Sequence, residues 1–275
     1  MVPVLDGLRV LDAHVHLAPE RLAVAVRDAL TRMYGWQLAG PLDPAAVLAE
    51  VRAAGADRCV HLPYAHRAGI AAGLNEHSAS LATAWADVVA FATVHPDDPD
   101  PVGMLAGAVE AGCRGLKVHC PVQRTRADDP RMQSVYAWCA DHGIPVLMHA
   151  GHGPDAHTEH GGVEPFRALL RRHPTLRICV AHLGAPEADA FLDLLPAHPS
   201  LWLDVSSVLH DLDAAGTTAA RVGAAADRLV YGSDHPNVPL RPAEAMTHLG
   251  ALGLARDRLA AVLWDNGHAF LGTPV

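Results

Sequence analysis

The sequence predicts a (β/α)₈ barrel of the TIM type, formed as a single domain over residues 1–275, and three observations carry that prediction. Short β-branched apolar runs alternate eight times with longer Ala-, Leu- and Arg-rich segments. Residues of metal-ligand type recur at the C-terminal ends of several of those runs. The length of 275 residues matches the roughly 250 residues that one such barrel takes. Alternating strands and helices imply parallel βαβ units, for which an open doubly wound sheet is the other solution. No Gly-x-Gly-x-x-Gly follows the first strand run, which weighs against a dinucleotide-binding sheet.

In chain order, strands are expected at residues 8–17, 58–63, 88–95, 113–120, 145–150, 177–184, 201–207 and 228–234. Helical spacing of apolar residues is clearest over 19–33, 130–142, 163–173 and 186–198. Residues 31–43 form a longer connection than a βα loop needs. So do residues 151–162, which carry His152, His157 and His160. Long connections after barrel strands lie over the mouth where chemistry happens. The Pro- and Asp-rich residues 96–101 read as an ordinary turn.

Half the residues are hydrophobic and only 5% are aromatic, so the expected core is aliphatic. A net charge of −9 with no run of Lys or Arg argues against nucleic-acid and anionic-membrane partners. Five cysteines, an odd number without CxxC spacing, read as small buried hydrophobes in a reducing compartment. The N-terminal residues show no basic segment leading into an apolar stretch, and no window of about 18 apolar residues exists. The expected location is cytoplasmic. Apolar helix faces leave room for a homodimer, since sequence does not separate an interface from a core.

Histidine is the compositional outlier, at 19 residues. In a strand, residues two apart share a face, so His14 and His16 project together while Val15 points the other way. Two imidazoles so placed can grip one borderline-soft cation. His149, His182 and Asp234 end three further strand runs, and Lys117 and His119 end the run at 113–120. Each alone reads as a satisfied core histidine or a helix-capping Asp. Polar side chains inside apolar strands are costly unless paired or metal-bound. Their recurrence at one barrel address therefore points to a shared metal site. Lys117 is the only lysine in the chain. Arg fills every other basic position, and Arg cannot deprotonate, whereas a buried Lys can become neutral or be carboxylated.

Taken together, Asp12-Ala-His14-Val-His16, Gly115-Leu-Lys117-Val-His119, Met148-His149-Ala-Gly, Ala181-His182-Leu-Gly and Tyr231-Gly-Ser-Asp234-His-Pro resemble the amidohydrolase superfamily. The likeness is to its amidohydrolase-related branch, which also holds metal-dependent decarboxylases of aromatic and muconate-type acids. The ending Asn266-Gly-His-Ala-Phe-Leu is similar to that branch's C-terminal pattern. The resemblance implies a metal held by His14, His16, His149, His182 and Asp234, with Lys117 as a carboxylated bridge if two ions bind. Zinc is the favoured ion and manganese the alternative. It implies catalytic roles for Asp234, His182 and Lys117, with His182 serving as acid/base in a one-metal site. The expected reaction is hydrolysis of an amide, ester or lactone in a small molecule by metal-activated water. Decarboxylation of a small carboxylic acid is the alternative.

The remaining candidates are substrate contacts at His119, His152, Trp36 and Arg124. His61 and His95 end the strands at 58–63 and 88–95. Asp204 and Ser206 share a face of the strand at 201–207, where they could orient a ligand. His235 is expected to face away from Asp234.

Overall fold

The computed structural model describes residues 7–38, 40–152 and 158–273. Its strands are β1 (Leu11–Val15), β2 (Arg58–His61), β3 (Val88–Ala90), β4 (Ala92–Thr93), β5 (Leu116–His119), β6 (Val146–His149), β7 (Ile178–Val180), β8 (Leu201–Asp204) and β9 (Leu229–Val230). Every pairing is parallel, in the orders β1-β2-β3 and β4-β5-β6-β7-β8-β9. Backbone bonds from Ala13 N to Tyr231 O (2.9 Å), Asp234 N to His14 O (2.8 Å) and His16 N to His235 O (2.8 Å) close the circle. This is the TIM barrel that the alternating pattern predicts.

The third expected strand is divided. β3 and β4 flank Phe91, whose N–H bonds His61 O on one side (3.0 Å) while Ala92 N bonds Gly115 O on the other (2.8 Å). The strand thus passes from pairing with β2 to pairing with β5 at this residue. Gly115 makes the handover feasible, because a Cβ there would meet the Phe91 ring at 2.3 Å.

β1 departs from a straight strand as well. Asp12 pairs with Cys59 and Val15 with His61, so three steps of β1 oppose two of β2. That extra residue is a bulge, which re-aims side chains. Leu11 and Ala13 pack in the barrel interior with Val60, Leu147, Cys179 and Val230. Val15 instead packs outward against Val47, Leu48 and Val51. Trp264, Phe270 and Leu271 belong to the interior cluster too, from the C-terminal helical segment.

Most expected helices are present, as Glu20–Tyr34, Gln133–His142 and Val163–Arg172. The helix expected at 186–198 is only Ala188–Leu192 followed by a 3₁₀ turn, Leu195–Ala197. Pro196 lacks the N–H that a continuing helix needs. Helix Glu20–Tyr34 has no buried residue, although Leu22, Val26, Leu30 and Tyr34 are half-buried at four-residue spacing. Among the described residues, no helix is long and apolar enough to cross a membrane.

Candidate metal centre

The site is assembled where the strands stop. His14 lies in β1 and His16 just beyond it, Lys117 in β5 and His149 at the end of β6. His182 and Asp234 do not occupy regular strand. β7 ends at Val180 and β9 at Val230, and both residues sit in the turns that follow, with φ of 57° and 58°. Left-handed backbone is uncommon for non-glycine residues and concentrates at functional sites. It turns these two side chains back over the barrel. Gly232 allows the turn before Asp234, since a Cβ there would meet His14 Cβ at 2.7 Å.

Three imidazoles aim one nitrogen each at the Asp234 carboxylate. His16 Nε2 is 2.9 Å from Oδ1, His14 Nε2 is 3.5 Å from Oδ1 and His182 Nε2 is 3.8 Å from Oδ2. Their other nitrogens are committed elsewhere. His16 Nδ1 donates to the Leu62 carbonyl at 2.8 Å, and His182 Nδ1 donates to the Ser206 carbonyl at 3.0 Å. His14 Nδ1 bonds Asp204 Oδ2 at 2.8 Å. A carbonyl only accepts, so the proton of a neutral ring sits on Nδ1 and the Nε2 lone pair faces inward. Inward lone pairs beside a carboxylate repel unless a cation or extra protons lie between them. Imidazole nitrogens, each oriented by a hydrogen bond on its far side, beside a carboxylate oxygen match a transition-metal or zinc site. His14, His16 and Asp234 offer donor atoms that all lie within 4.8 Å of one another, and so do His14, His182 and Asp204.

The other expected residues border this group. Lys117 is 1% exposed, with Nζ 3.5 Å from His14 Nε2. His149 pairs in register with His119, and their rings stack at 4.1 Å. The His149 ring also meets His182 edge-on, with centroids 4.9 Å apart. His149 stands beside the tightest donor group rather than within it.

Burial governs the electrostatics. It lowers Lys117 to about 8, against the opposing pull of Asp204 and Asp234. Burial, then Lys117, lowers His14 to about 4. Burial also pushes His119 and His149 well below the usual imidazole range, with Lys117 adding to it. It acts to raise Asp234, but His14, His16 and His182 outweigh it and hold that carboxyl below the ordinary range. Asp204 is held low in the same way, chiefly by His14.

All six expected metal-centre residues line one cavity of about 750 Å³, together with His119, His152 and Trp36. Trp36 stacks on Tyr34 at 4.0 Å, and His152 Nε2 lies 3.1 Å from Glu187 Oε2. Arg124 is not brought to the cavity. Its backbone turns left-handed, at φ 50°, to close the short helix Cys120–Gln123, and its side chain is exposed.

His157 lies outside the described residues, and His160 is not in the cavity wall. His61 and His95 are buried away from the main cavity; His61 Nδ1 accepts from Leu17 N at 3.0 Å. His235 faces Glu50 at 3.1 Å, away from the centre as expected. Asp204 and Ser206 do support the ligand-type residues. Sequence reasoning missed Tyr64, whose ring lies 5.6 Å from that of His16 and 5.1 Å from that of His119. Its one available signal was its place just after β2.

Fold and site together define a TIM-barrel protein with a histidine- and aspartate-built metal-type centre. The chain belongs to the amidohydrolase family, whose model matches residues 7–273. Among solved structures it is similar to an uncharacterised TIM-barrel protein of Bordetella bronchiseptica. That likeness has 22% identity over 96% of this chain and 99% of the other, with a TM-score of 0.77. It is also similar to 5-carboxyvanillate decarboxylase of Sphingomonas paucimobilis, at 17% identity over 98% and 100% of the two chains and TM-score 0.65. The manganese complex of 5-carboxyvanillate decarboxylase from Novosphingobium aromaticivorans gives 15% identity, 97% and 96% coverage and TM-score 0.66. At these identities the likeness is one of fold. No curated protein matches the sequence.

Proposed function

We propose that this protein is a divalent-metal-dependent hydrolase that cleaves an amide, ester or lactone bond of a small molecule. The convergence of the His14, His16 and His182 Nε2 atoms on the Asp234 carboxylate carries the reading. A dication bound there would lower the pKa of its water from ~15.7 to near 7 and polarise the scissile carbonyl. Asp234, held ionised, is placed to accept a proton and pass it to the leaving group. His182 can share that role, because its Nε2 faces Asp234 Oδ2 while Nδ1 is tied to Ser206. Lys117, buried with Nζ 3.5 Å from His14 Nε2, is near enough to the centre to favour, when protonated, negative charge developing on the substrate. The cavity of about 750 Å³ suits a small-molecule substrate. The imidazole-rich donor set favours zinc, with manganese the alternative.

A second reading, non-oxidative decarboxylation, gains support from the two decarboxylases of similar fold and from Lys117, which could hold a carboxylate. The test is a panel of small amides, esters, lactones and carboxylic acids, run with metal-loaded and chelator-treated protein. Metal-dependent release of an acid with an amine or alcohol, or opening of a lactone, is the expected result. Carbon dioxide release transfers the assignment to the second reading. Turnover indifferent to chelator contradicts both.

A further inference from the structure

A second, smaller chamber adjoins the main cavity. It shares His16, Tyr64 and Asn237 with it, so these three residues border both spaces. Its remaining wall is largely aliphatic, with Leu62 and Leu74 from the barrel side and Leu22, Ala23 and Val26 from helix Glu20–Tyr34. Most polar groups in that wall have main-chain partners, while His61 Nε2 and Arg27 Nε are buried without one. Arg27 bonds the carbonyls of Gly40 and Pro41, His77 Nε2 bonds Leu17 O at 2.8 Å, and His61 Nδ1 accepts from Leu17 N. What remains accessible to an occupant is mainly apolar surface.

We infer that this chamber is a substrate subsite for a short aliphatic group of two or three carbons, with Tyr64 as the residue that sets its entrance. This rests on the metal-centre reading above, which fixes the reacting end of the substrate beside His16. The size follows from the chamber's volume of about 30 Å³, against the ~10–15 Å³ that one water-sized occupant needs. A chamber whose accessible wall is mainly aliphatic holds water poorly and favours hydrocarbon. Its roof is helix Glu20–Tyr34, which has no buried residue, so that side of the chamber can adjust to what enters.

The experiment is calorimetric titration of zinc-loaded protein with n-alkyl hydroxamates, from acetohydroxamate to hexanohydroxamate. Their chelating head reports the metal centre and their tail reports the chamber. In wild type, Kd is expected to fall about fourfold for each buried methylene, over two or three additions, and then to level off. Ala23→Leu adds three carbons to the chamber wall on a helix that tolerates Leu well. It should abolish the gain from chain length and leave acetohydroxamate affinity unchanged. Leu22→Ala should move the plateau to longer chains. A length dependence that both variants leave untouched, or none in wild type, overturns the subsite while leaving the metal centre intact. If even acetohydroxamate fails to bind, the metal-centre reading falls and the subsite falls with it.

Discussion

Asp204 links the two histidines that a metal would most depend on. Its Oδ2 takes the His14 Nδ1 bond, and its Oδ1 accepts from the backbone N–H of His182 at 2.9 Å and of Ser206 at 3.0 Å. Such outer partners fix which ring nitrogen is free. Asp204→Asn is therefore expected to weaken metal binding about 10- to 100-fold, measured by competition with a fluorescent chelator. Undiminished affinity would show that His14 needs no such anchor. Lys117→Arg keeps the charge but not the shape or the capacity to deprotonate. It is expected to cost about 10²-fold or more in kcat/KM, and wild-type turnover would refute the role drawn from the sole lysine. Asp12 gives the pH prediction. Burial raises it from 3.8 to about 7, with the Ser233 hydrogen bonds opposing. The native state thus keeps a proton that the unfolded chain releases above about pH 4. The stability this contributes is present below that pH and is lost as pH rises through about 7. Asp12→Asn mimics the protonated form, so thermal unfolding of metal-free protein from pH 4 to 7 should show a flatter pH slope than wild type. An identical slope would place the proton elsewhere.

At the scale of elements, the barrel strands were legible because each is a short apolar run with a polar residue at its end. The bulge in β1 and the left-handed turns at His182 and Asp234 were not. Alternation assumes a straight strand, and the glycines in 177–184 and 228–234, Gly184 and Gly232, do not by themselves show where pairing stops. His14 and His16 still share a face, because the bulge falls before Val15 and leaves the His14–His16 step alternating. Arg124 was misjudged for a related reason: closeness to a strand end in sequence says little once the chain turns sharply. Tyr64 was passed over because an aromatic residue after a strand carries no chemical signature of its own. Helix Glu20–Tyr34 was expected and is present, yet its periodicity did not reveal that it buries nothing fully. Such an element opens at low cost. Its amides are expected to exchange with solvent faster than those of Gln133–His142, which buries Gln133, Val135, Tyr136 and Cys139. Equal protection in hydrogen-exchange mass spectrometry would mean that the roof is fixed and the side chamber rigid.

For the whole molecule, one circular sheet brings distant positions together. His14 and Asp234 are far apart in the sequence but touch because β1 closes against the segment after β9. Closure is why a pattern of strand ends could be read as one site without any contact being visible in the sequence. The identity of the substrate was not legible in the same way, since the cavity wall draws on loops and on a surface helix whose packing periodicity alone does not encode. The most direct test of the metal centre is elemental analysis by inductively coupled plasma mass spectrometry on protein purified without chelator, for wild type and His16→Ala. The centre described here predicts about one to two divalent ions per wild-type chain and a folded His16→Ala variant that has lost them. Wild-type protein free of metal, or a variant that keeps its full complement, would contradict it.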